Sequence, residues 1–152
     1  MDNRGAALFG LTATFTRINR CLEDISDDEA RKLPSGLTPL IWQVGHIAFS
    51  DFSFDARADG TTKAPAGYDT LFGRGTGGEA QYPSLAEVKG TLARAQQALE
   101  AVARAADLSA PLDAPNYSNV GEMLTFVAYH RGYHVGKMTT LRALLHKARL
   151  FG

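Results

Sequence analysis

Apolar residues at Leu8, Leu11, Phe15, Ile18 and Leu22 step by three and four with polar residues between them, which places them on one face of an amphipathic helix. Ser26 and Glu29 then stand at capping-box spacing, so a short turn is expected before Pro34 and Gly36 interrupt the chain. A second helix is expected from Thr38 as N-cap, with Pro39 at the first helical position, to about Gly60. Its apolar residues do not form one stripe. Leu40, Val44, Ile47 and Phe54 cover one side, while Ile41, Trp42, Phe49 and Phe52 lie mostly on others. A helix apolar around so much of its girth is buried on more than one side, and a subunit interface is one way to cover the second.

Residues 60–83, GTTKAPAGYDTLFGRGTGGEAQYP, are rich in Gly and Pro, and so long a connection is expected to cross an end of the fold and line a pocket mouth. GRGTGG does not make a phosphate loop, because it lacks the Lys-Ser/Thr ending and a preceding strand. A third helix opens at Ser84 and Glu87 and carries the stripe Leu85, Val88, Leu92, Ala95, Leu99, Val102 and Ala106; it reads as scaffold. A second loop, DLSAPLDAPNYS, leads to Asn119 and Glu122, where the last helix starts, continuing to about Lys147. Its inward face, at about 100° per residue, gathers Met123, Val127, His130, His134, Lys137, Leu141 and Leu145. No segment alternates as a strand does. The pattern predicts an all-α four-helix bundle, one domain over residues 1–152, with its long connection between the second and third helices.

Composition narrows the partners. At 152 residues and 45% apolar content the chain can bury a continuous core without a metal or disulfide to make it fold. Sixteen basic and sixteen acidic residues leave no footprint for nucleic acid or an anionic membrane, so a small-molecule substrate or a protein partner is expected instead. A lone cysteine, Cys21, fits a reducing compartment, and neither a signal peptide nor a membrane span is legible; a cytoplasmic protein is the expectation.

Chemistry concentrates in the histidines. His130 and His134 lie four apart on one helix, where side chains are about 5–6 Å apart at Cβ and two imidazoles can converge on one ion. Two core histidines hydrogen-bonded to carbonyls or hydroxyls would give the same spacing. His46 shifts the balance, because it lies in mid-helix, far from any cap, where it could meet the other two in the bundle core. His146, beside Lys147 near the end of the last helix, reads as solvated or capping. Asp51 and Asp55 point about 140° and 180° away from His46 and are left out of the ligand set. Trp42 and Phe49 flank His46 and would make an apolar wall, Tyr133 borders the histidine face, and Lys137 points between His130 and His134 as a candidate anchor for a substrate or cofactor carboxylate. Snorkelling of Lys137 to solvent is the alternative.

Trp42 with His46 as W-x-x-x-H, followed about eighty residues later by HRGYHVGKMTTLR from His130 to Arg142, resembles the DinB-like superfamily of metal-binding four-helix bundles. The resemblance spans essentially the whole chain in helix order and loop placement. It implies His46, His130 and His134 as ligands of a divalent metal ion (Zn, Ni or Fe) and a homodimer. The superfamily includes S-transferases that use low-molecular-weight thiols of the bacillithiol or mycothiol type, and damage-inducible proteins without assigned activity. Many relatives carry an acid where this chain has Arg131, and a glutamine where it has Lys137.

Three neutral imidazoles leave an ion its full charge and an open position, the pattern of a catalytic site, where a coordinated thiol or water is acidified. The expected function is therefore a metal-dependent enzyme, a thiol S-transferase or a hydrolase. The competing reading is a noncatalytic metal- or ligand-binding stress-response bundle. A haem bundle is disfavoured, since adjacent ligands on one helix suit a compact ion and no haem-attachment motif is present.

Overall fold

Four of the helices begin where a side chain satisfies a free N–H group. A computed structural model describes residues 1–58 and 61–151. α1 (Asn3–Arg20) is capped by Asp2, whose carboxylate accepts from the Gly5 N–H at 2.7 Å. The capping box of Ser26 and Glu29 opens a real but brief helix, α2 (Asp27–Arg31). α3 (Leu40–Ala58) starts one residue after Pro39, and Thr38 is used differently from a cap: its hydroxyl accepts from the Gln43 side-chain amide. The expected end near Gly60 lies outside the described residues. Within the long connection Tyr68–Phe72 forms α4, too short to leave a periodic signal in the sequence. α5 (Leu85–Ala105) carries the second capping box, of Ser84 and Glu87, and α6 (Val120–Leu144) is capped by Asn119, which accepts from the Glu122 N–H at 2.9 Å. α6 stops three residues short of Lys147. His146 takes φ 59°, and the N–H groups of His146 and Lys147 close on the carbonyls of Ala143 and Arg142 in a Schellman turn. His146 is exposed at that turn.

The four long helices form an all-α bundle, with no strand among the described residues and no described helix long and apolar enough to cross a membrane. α3 packs on α5 and α6, and α1 packs on the same two helices, so α1 and α3 stand diagonally opposed. The interior falls into two apolar clusters. One gathers Ile18, Ile47, Leu92, Val135 and Met138; the other gathers Leu11, Leu99, Leu124 and Val127. Between them lies a polar layer centred on Arg131, which is 0% exposed. Its guanidinium donates to Asp51 of α3 at 2.7, 3.1 and 3.3 Å, to Gln96 Oε1 of α5 at 2.6 Å, and to the Leu11 carbonyl of α1 at 3.1 Å. One side chain of α6 thus touches the other three long helices. α5, expected to be scaffold alone, contributes Gln96 to this layer.

Two sequence expectations change here. The girth of α3 is covered within the chain, by α2 and α4, so its apolar second side does not call for another subunit. The inward face of α6 is also rotated from the expected one. Its buried residues, from Val120 through Arg131 and Met138 to Arg142, occupy a sector of about 120° that has Met123 at one edge and Arg131 near the middle. Arg131 and Arg142 look like surface residues by type, yet both are buried in ion pairs, with Asp51 and Asp24. His130 therefore sits at the margin, half-buried, and Lys137 emerges into solvent with its Nζ 4.7 Å from the Tyr133 ring centre.

Gly45 lets Phe72 of the long connection pack directly against α3. A Cβ there would lie 2.2 Å from the Phe72 ring, which is fully buried. Gly45→Ala is expected to cost about 1–3 kcal/mol of stability through overpacking, and a urea titration of the purified variant checks this.

Candidate metal centre

α3 supplies Trp42, Gln43 and His46 at spacings of one, three and four, which place all three along one side of the helix next to α6. α6 supplies His130 and His134 one turn apart. The three imidazoles meet: each offers a ligand nitrogen, and these nitrogens all lie within 4.8 Å of one another. Ring centres are 4.6 Å apart for His130 and His134, 4.9 Å for His46 and His134, and 5.5 Å for His46 and His130. The Nε2 atoms of His130 and His134 are 3.2 Å apart. Two imidazole nitrogens on one tetrahedral ion would stand about 3.3 Å apart.

Two of the rings are fixed from behind. Nδ1–H of His46 donates to the Phe72 carbonyl at 2.7 Å, and Nδ1–H of His134 donates to Gln43 Oε1 at 2.7 Å. Because a carbonyl oxygen can only accept, each of these rings carries its proton on Nδ1 and presents the lone pair of Nε2 to the centre of the cluster. This backing is the arrangement that orients metal-binding histidines in general. His130 differs, since its buried Nδ1 has no hydrogen-bond partner.

Burial keeps the cluster uncharged. It pushes the His134 imidazole from 6.5 down to about 3, reinforced by His130, His46 and the Lys137 ammonium. His130 is pushed to about 4, again chiefly by burial, with His46, Arg131 and Arg74 adding to the effect. His46 is lowered by burial, with the Phe72 hydrogen bond opposing and Arg74 and Lys137 contributing. Every charged neighbour that acts on the three rings is cationic. Neutral imidazoles with free Nε2 lone pairs at neutral pH are the form that coordinates a metal, so the donor set fits a divalent ion.

The walls are aromatic and the rim is basic. Trp42, 7% exposed, stacks on His46 with ring centres 4.6 Å apart and an interplanar angle of 11°, and its indole N–H donates to Thr76 Oγ1 at 2.8 Å. Phe54 lies edge-on to His130 at 6.0 Å, and Tyr133, more than half exposed, stands edge-on to His134 at 5.1 Å. Arg74 is exposed between Phe72 and Thr76, the two residues by which the connection grips this site. A small cavity of about 130 Å³ lies beside Gln43 and is lined also by Thr38 and Lys137.

A family model described as the DinB superfamily matches residues 11–138, a span that holds all three histidines. The chain belongs to the DinB superfamily. No curated protein matches it by sequence. In this DinB chain the expected trio does converge, Trp42 and Tyr133 border it, and Asp51 is turned away toward Arg131, as its angle on α3 implied. Lys137 reaches the site from the solvent side instead of the buried face. Gln43, the Phe72 carbonyl and Thr76 were not anticipated. A glutamine three residues before a histidine, in the apolar first half of α3, is the signal that could have found Gln43; the Phe72 carbonyl leaves no such trace.

A pH dependence follows. Unfolded histidines titrate near 6.5, and the folded imidazoles only near 4 and 3. Below pH 6.5 the unfolded chain binds more protons, so stability is full above that value and falls as the pH drops toward 4, by up to about 1.4 kcal/mol per pH unit for each histidine. In metal-free protein the urea midpoint should fall between pH 7 and pH 4.5, and His130→Leu should flatten the slope over the same range.

Proposed function

We propose that this DinB protein is a metal-dependent enzyme in which His46, His130 and His134 hold a divalent ion (Zn, Ni or Fe), and that it transfers a low-molecular-weight thiol to a small electrophile. The observation that carries the reading is the convergence of three neutral imidazoles, two with tautomers fixed by the Phe72 carbonyl and by Gln43. A divalent ion there supplies Lewis acidity, which makes a thiol or a water nucleophilic at neutral pH.

The chain's own residues support a thiol from outside. Cys21, its one cysteine, is buried, and burial pushes its thiol up to about 11, so it stays protonated and unreactive. Trp42 covers the His46 face and keeps water from it. Arg74 and Lys137 carry no ion pair among the described residues, and they offer positive charge to an anionic substituent of the substrate. The cavity between Gln43 and Lys137 has room for a carboxylate-sized group, while the exposed Tyr133 ring gives the substrate an aromatic surface. Hydrolysis uses the same ligands with water in place of the thiol.

Elemental analysis of purified protein is expected to give near-stoichiometric metal for the wild type and little for His134→Ala handled identically. Absence of metal from the wild type, even after reconstitution with Zn, Ni or Fe, would leave a noncatalytic bundle as the better account. With metal restored, Arg74→Met and Lys137→Met should each weaken binding of a carboxylate-bearing thiol such as mercaptosuccinate severalfold, with the loss shrinking at high salt. Unchanged affinity removes these residues from the substrate site.

A further inference from the structure

We propose that Arg131 is the positioning residue of the histidine cluster: its buried fork to Asp51, Gln96 and the Leu11 carbonyl sets the rotation of α6 that holds His130 and His134 against His46. The proposal rests on the metal-centre reading above, but it concerns what aligns the ligands instead of what they bind.

A buried ion pair contributes direction more than stability. Arg131 and Asp51 are both 0% exposed. Desolvating two charges offsets most of their attraction, and well-packed apolar residues in their place are often as stable or more so. A guanidinium fork has a direction, however, which apolar contact lacks. Five hydrogen bonds from Arg131 reach α3, α5 and α1, so α6 cannot turn about its axis without breaking several at once.

His130 depends most on that rotation. His46 and His134 are each held by a hydrogen bond at Nδ1, whereas His130 has none there. Apart from its Nε2 contact with His134 on the same helix, its ring is placed by its backbone and packing, and the residue next to it on that backbone is Arg131. Imidazole nitrogens stand about 6 Å from a helix axis, so a turn of about 10° moves them about 1 Å. Metal–ligand distances tolerate about 0.2 Å. The rotation must be fixed far more tightly than side-chain packing alone requires; Arg142 forks to Asp24 and the Cys21 carbonyl about two turns beyond His134, whereas Arg131 is the buried guanidinium beside the ligands themselves.

The test is a titration with Co²⁺, read by its visible absorption, on the wild type, on Arg131→Lys, and on the triple variant Asp51→Leu, Gln96→Leu, Arg131→Met. Arg131→Lys keeps the charge and loses the fork. The triple variant removes the whole layer without leaving an unpaired charge, so it guards against a single variant that fails to fold. Both are expected to weaken Co²⁺ about tenfold or more, as losing the outer support of a metal ligand commonly does, and to change the absorption bands. The triple variant should keep the wild-type circular dichroism and an equal or higher thermal midpoint. Leu99→Ala, in the apolar cluster away from the histidines, serves as the control; it should lower the thermal midpoint and leave Co²⁺ binding unchanged. Wild-type Co²⁺ affinity and spectrum in a folded triple variant and in Arg131→Lys would overturn the proposal, as would an equal loss in Leu99→Ala. A wild type that binds no Co²⁺ defeats the metal reading itself, and this inference with it, which is a separate result from wild-type binding left intact in the variants.

Discussion

Arg131 ties the four long helices together through one side chain. Its guanidinium leaves α6, pairs with Asp51 on α3, and continues to Gln96 on α5 and the Leu11 carbonyl on α1. Apolar clusters above and below this layer supply the burial that drives folding, and their contacts tolerate sliding and turning. The charged layer does not. Removing one member would strand the other in a medium that cannot solvate it, so the bundle has one arrangement in which the layer closes.

That arrangement places the histidines where they can act. His134 lies inside the buried sector of α6 and His130 at its margin, so the cluster is sheltered from water on the α3 side and approachable on the other. The connection between α3 and α5 completes it from outside the bundle. Phe72 packs on Gly45 and lends its carbonyl to His46, and Thr76 receives the Trp42 indole N–H. Arg74 stands between these two grips, and Lys137 rises from α6. Uncharged imidazoles within and cations at the rim favour an anionic visitor over a cationic one.

Much of this was legible in the sequence because it is written in local rules. Ser84 with Glu87 gave the start of α5 and Asn119 that of α6, while Ser26 with Glu29 marked a turn where a brief helix, α2, stands. His46, His130 and His134 stood out because polar rings in mid-helix need partners. What failed did so for physical reasons. The expected inward face of α6 omits Arg131 and Arg142, yet their ion pairs carry them inside, which turns the buried face and leaves Lys137 outside it. α4 has too few residues to show a period, so the element that covers the second side of α3 was invisible and a subunit interface was considered in its place. A main-chain acceptor such as the Phe72 carbonyl has no residue type to betray it.

The proposed centre has three imidazoles sharing one ion. X-ray absorption at the metal edge of the Zn-loaded protein tests it most directly. The account predicts three imidazole nitrogens at about 2.0–2.1 Å, with the outer-shell scattering of intact rings and one further light ligand. A first shell with sulfur in it, or one with fewer than three imidazoles, would contradict it.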